Sequence, residues 1–163
     1  MRRCDRLDLC VIGAFRIDRE IGTCQKAEIN VSNLVKVNPA IIAGFLALVS
    51  LPFHFVLPIT ASHQLAAILL SLVAGVYVGF AVQDGRLKIL LIEGLVALIF
   101  IGAALAGLWV SAWFIPLAYV IHGFWDYAHH RHVDTALPKW YIPFCAVYDW
   151  IFAIGLSAAW LTG

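Results

Sequence analysis

Between positions 122 and 130 the chain reads His122-Gly-Phe-Trp-Asp126-Tyr-Ala-His129-His130, three imidazoles and a carboxylate spaced by about one and two helical turns. At 100° per residue all four fall within an arc of about 100° on one helix face, so a single stripe can present two imidazoles and a carboxylate to a common point. His129 and His130 cannot both aim at that point equally. The surrounding stretch is apolar enough to span a membrane, where an Asp near a helix centre costs roughly 2.5–3.5 kcal/mol. A carboxylate there is expected to face a partner, a cavity or an ion rather than acyl chains.

Two further carboxylates extend the pattern. Asp149, counted inward from Tyr141, reaches roughly 12 Å of depth, the level of His122 counted inward from His130. Glu93 enters from the same side to roughly 6 Å, nearer the level of Asp126. Cys145 precedes Asp149 by one turn and shares its face. His122, His129, His130, Asp126 and Asp149 thus form a candidate site for a divalent metal (Zn, Mn or Fe), because neutral imidazole and carboxylate suit borderline divalent ions. Asp126 or Glu93 would serve as general base. Two other readings stay open: a polar clasp that only holds helices together, and a pathway for protons or cations.

With 63% hydrophobic residues, 13% charged and a mean hydropathy of +0.90, the chain lies outside the range of soluble domains, in which about 25% of residues are charged. A net charge of +1, with no basic run, gives no case for nucleic acid. Membrane lipid is the expected surrounding. Residues 1–36 differ, holding seven of the eleven Lys and Arg and five of the ten acidic residues, with no spanning apolar run. They read as a polar cytosolic extension, disordered or the product of a misassigned start, with translation then beginning near Val31. Cys4, Cys10 and Cys24 match no Cys-x-x-Cys pattern, and no disulfide framework follows.

Residues 37–163 form the membrane domain, an all-α bundle of five transmembrane helices: Pro39 to Leu57, His63 to Val82, Ile89 to Val110, Ala112 to His129 and Tyr141 to Leu161. Polar turns separate them at 83–88 and 131–139, and short connections imply antiparallel neighbours. Threading five spans collects all eleven Lys and Arg on one side. The positive-inside rule then places the N-terminus in the cytoplasm and the C-terminus in the periplasm of a bacterial inner membrane. Trp109, Trp113 and Trp160 would anchor the outer boundary, Trp140 and Tyr141 the inner one.

Gly75 and Gly79, and Gly102 with Ala106, let backbones approach closely. Packing within the monomer is the preferred reading, with a homo-oligomer through Gly75 and Gly79 as the alternative. His54 and His63 flank the outer turn and are expected to hydrogen-bond at the interface, a haem held between them being the alternative. Tyr119, Tyr127, Trp125 and Trp150 read as packing or interfacial residues, and His132 as a solvated loop residue.

The run from His122 to His130, followed by Pro143-Phe-Cys145-Ala-Val-Tyr-Asp149, resembles a family of small, uncharacterised bacterial multi-pass membrane proteins that carry a His-x-x-Trp-Asp-x-x-His-His element before a final Asp-bearing span. The resemblance covers the C-terminal part and implies that His122, Asp126, His129, His130 and Asp149 act together; it implies no activity. More faintly, the paired histidines are similar to the histidine boxes of membrane hydroxylases and desaturases. Those enzymes use more histidines than the six present here, which argues against a full di-iron centre. The expected function is a metal-dependent hydrolytic or oxidative reaction on a lipid or other apolar substrate. The alternatives are a small proton- or cation-coupled transporter and a structural membrane subunit.

Overall fold

Asn38-Pro39 opens the first helix with two local devices: the Asn38 side chain accepts from the Ala40 N–H at 3.0 Å, and Pro39 takes the first helical position, where its missing N–H costs nothing. A computed structural model describes residues 38–133 and 137–162, without the side chains of 130–132. The N-terminal extension with Cys4, Cys10 and Cys24, and the side chains of His130 and His132, therefore lie outside the described residues. Among those described, the chain is all-α: α1 Pro39–Val56, α2 Ile59–Asp84, α3 Leu87–Trp109, α4 Phe114–His132 and α5 Tyr141–Thr162.

Four of the five, α1, α2, α3 and α5, are long and apolar enough to cross a membrane. Helix α4 is not counted with them, and the reason is visible in its sequence: it carries His122, Asp126, His129, His130 and Arg131 within its last eleven residues. The distribution of side chains is inverted relative to a soluble protein. Phe45, Leu72, Leu98 and Ile154 face outward, whereas Glu93, His122, Asp126, His129 and Asp149 are buried. Water would penalise that arrangement and lipid favours it, which marks the chain as a membrane protein.

The turn between α2 and α3 closes on Gly85, whose φ of 77° is left-handed and so suits a residue without a Cβ. The α3–α4 turn folds back over Gly107, where an added Cβ would lie 2.3 Å from Ile115. α2 packs chiefly on α3, α4 on α5, and α1 on α5. The last pairing corrects the expectation that chain neighbours α1 and α2 lie side by side. Gly155 explains it, since Leu51 of α1 fills the space that a Cβ there would need, 2.3 Å away. Helix α2 also starts at Ile59 rather than His63, leaving only Leu57 and Pro58 as the connection.

The glycine expectation fails likewise. A Cβ at Gly75, Gly79 or Gly102 would meet nothing within 4 Å, so these glycines do not pack helices inside the monomer. Close approach is made instead at Gly107, Gly123 and Gly155.

Candidate functional site

Four helices contribute to one buried polar cluster. α4 supplies His122, Asp126 and His129 from one stripe, as its 3.6-residue period requires. α5 supplies Asp149, α3 supplies Glu93 and α2 supplies Tyr77. Gly123 sets the spacing of α4 and α5: the Trp150 indole lies where a Cβ would stand, its Nε1 2.5 Å away, and that indole donates to the Val120 carbonyl at 3.3 Å. With the two helices this close, His122 and Asp149 meet.

His122 Nδ1 and Asp149 Oδ2 share a hydrogen bond at 2.7 Å, and the same nitrogen lies 3.6 Å from Asp126 Oδ1. Ligand atoms of His122, Asp126 and Asp149 all lie within 4.8 Å of one another. The match in depth expected for His122 and Asp149 is therefore present. His129 also faces inward, but its Nε2 donates to Glu93 Oε1, one turn along α4. Asp126 is met from α2, the Tyr77 O–H donating to its Oδ1 at 2.5 Å. The side chain of His130 lies outside the described residues.

Two buried carboxylate oxygens, Asp126 Oδ2 and Asp149 Oδ1, have no hydrogen-bond partner among the described residues. An unpaired oxygen of that kind in a water-excluding interior costs about 1–3 kcal/mol, and more when charged. A proton or a cation would relieve the cost. Ligands about 2.0–2.2 Å from a Zn²⁺ ion stand roughly 3–3.5 Å apart. Ligand atoms within 4.8 Å of one another would have to draw together to reach those separations around a cation.

Tyr77 is the residue that pattern reading missed. It stands between Gly75 and Gly79, the glycines that drew attention as a packing motif, while a phenol at mid-span, which must find an acceptor when buried, was the better signal. Its ring lies 5.8 Å from that of His122 and 5.1 Å from that of His129. Tyr141 packs on Tyr77 and Phe80 and so turns into the bundle, in contrast to its expected place as an interfacial anchor. Cys145 is buried with a free thiol, on the Asp149 face as expected.

His54 corrects a second expectation. It is 3% exposed, inside the bundle, with Nδ1 2.8 Å from Ser62 Oγ and its ring edge-to-face with Phe152. Ser62 Oγ also accepts from the Trp160 indole at 2.8 Å, which draws Trp160 inward, and His63 packs on that indole. Tyr119 is a packing residue, buried, with its O–H donating to the Ala66 carbonyl at 3.0 Å. Trp125 packs against His129 and Tyr127 faces outward.

No known protein family, curated protein or solved structure matches the chain.

Proposed function

We propose that this chain is a five-span protein of a bacterial cytoplasmic membrane in which His122, Asp126 and Asp149 bind one divalent cation, Zn, Mn or Fe, that serves a reaction on a lipid or other apolar substrate. The observation that carries the reading is the pair of orphaned carboxylate oxygens beside a buried imidazole, with all three side chains at most 1% exposed. Two carboxylates and a divalent ion cancel in charge. The burial cost of both acids is removed together, which a hydrogen bond to one imidazole does not achieve.

Three protein ligands leave coordination positions for water or substrate, the arrangement of catalytic rather than structural sites. A bound ion there would polarise an acyl or phosphoryl oxygen, or lower the pKa of water toward neutrality. The Glu93–His129 pair, one turn away, is the proton acceptor in this reading, and Asp126 is a ligand. Helix α4 crosses the membrane as well, bringing the total to five spans: its 19 residues extend about 28 Å, close to the hydrocarbon thickness. Orientation follows from the basic loops, with the C-terminus periplasmic.

Metal analysis of the detergent-purified protein tests the proposal. Stoichiometric metal in the wild type, lost in His122→Ala and Asp126→Asn, supports it. A metal-free wild type that remains folded refutes it and leaves the polar clasp, which the His129–Glu93 hydrogen bond favours.

Gly75 and Gly79 open outward from α2, and association of two copies through this smooth face is proposed with the rest.

A further inference from the structure

Tyr77 is 2% exposed and reaches the cluster from a helix that supplies none of the proposed ligands. Its hydroxyl, cut off from water, is committed to Asp126 Oδ1. Each acid has one bonded oxygen and one without a partner among the described residues. Asp126 has Oδ1 held by Tyr77 and Oδ2 without a partner among the described residues; Asp149 has Oδ2 held by His122 and Oδ1 without one. On Asp126 the bonded oxygen is held by a group outside the proposed ligand set, whereas on Asp149 it is held by His122, itself a proposed ligand. Clamping of the first kind orients the ligands of metal sites and typically accounts for 10- to 100-fold in affinity.

We infer that Tyr77 is a positioning residue for the cation: its hydrogen bond fixes the rotation of the Asp126 carboxylate, whose Oδ1 lies 3.6 Å from His122 Nδ1, so that the group stays turned toward His122 and Asp149. The inference rests on the cation reading above. Among the described residues, helix α2 meets a proposed ligand carboxylate through the Tyr77 hydroxyl. A carboxylate freed of it rotates about χ2, a broad and nearly two-fold torsion, and loses its aim. The phenol ring, packed between His122 and His129, carries no such directional role.

The test is Co²⁺ binding to the full-length protein in detergent, followed by visible absorption and by equilibrium dialysis. Tyr77→Phe keeps the ring and removes the hydroxyl. Tyr119→Phe, which removes a buried hydroxyl bonded to a backbone carbonyl, is the control. The expected result is Co²⁺ affinity 10- to 100-fold weaker in Tyr77→Phe with a changed d–d spectrum, and wild-type behaviour in Tyr119→Phe. Tyr77→His, which keeps a ring N–H donor, is expected to recover part of the affinity. Unchanged affinity and spectrum in Tyr77→Phe overturn the inference while the cation site stands. Loss of Co²⁺ only together with loss of fold, in both Tyr77 variants, also overturns it. A wild type that binds no Co²⁺ overturns the cation reading itself.

Discussion

Replacing Gly123 by Ala is expected to damage the site without touching any of its polar groups. The added Cβ would lie 2.5 Å from Trp150 Nε1 and 2.8 Å from Cδ1, about 0.9 Å short of the separation at which such contacts become ordinary. Two responses are open to the protein. The indole can swing outward, which breaks its hydrogen bond to Val120, or α4 and α5 can separate. If separation absorbs the whole shortfall, the His122–Asp149 bond lengthens from 2.7 Å to about 3.6 Å and ceases to be a hydrogen bond. Overpacking costs about 1–3 kcal/mol and loss of a bond to a charged group about 1.5–3. A destabilisation of about 3 kcal/mol and at least tenfold weaker cation binding are therefore expected. Unfolding in detergent, followed by circular dichroism, and Co²⁺ titration measure the two effects. Gly123→Ala combined with Trp150→Leu, which clears the clash, should recover much of both. A Gly123→Ala protein that unfolds like the wild type and binds Co²⁺ equally well refutes the argument that this contact sets the helix spacing.

Ser62→Ala removes the acceptor of Trp160 and the partner of His54, so it should cost about 1–3 kcal/mol and leave Co²⁺ affinity unchanged. Its readout is the same unfolding and titration pair. Asp149→Leu strands His122 in the interior and should destabilise by about 3–5 kcal/mol, whereas His122→Leu with Asp149→Leu should regain stability yet bind no cation, as followed by unfolding and dialysis. The Cβ of Gly79→Leu would meet nothing within 4 Å and the position is exposed, so its folding should be unaffected while association of copies, read by crosslinking in vesicles, is lost. A periplasm-active reporter fused after Gly163 should be active, and activity of a cytoplasm-only reporter there would contradict five spans.

Helix positions were legible because apolar runs of spanning length and the Gln83-Asp-Gly-Arg-Leu-Lys88 break are composition-level signals; most ends agree to within about three residues. The inward stripe of α4 was legible from its period, and so was the depth match between His122 and Asp149. Partner choice was not. Glu93 bonds to His129 while Asp126 takes the hydroxyl of Tyr77, a side chain from α2, two elements earlier in the chain, and rise per residue alone cannot see that choice. The glycines show the same limit. Gly75-Val-Tyr-Val-Gly79 has the spacing of a packing motif, but spacing does not say which face meets a neighbour, and here the two glycines face out while Tyr77 between them faces in, and single glycines at 107, 123 and 155 make the contacts. The place of His54 at the end of α1 resembles an interface in sequence, whereas packing of α1 on α5 encloses it.

X-ray absorption at the edge of whichever metal copurifies tests the central claim most directly. The account predicts one imidazole nitrogen and carboxylate oxygens at about 2.0–2.2 Å, with the imidazole scattering lost in His122→Ala. A fully hydrated ion, or a first shell without imidazole in the wild type, would contradict it.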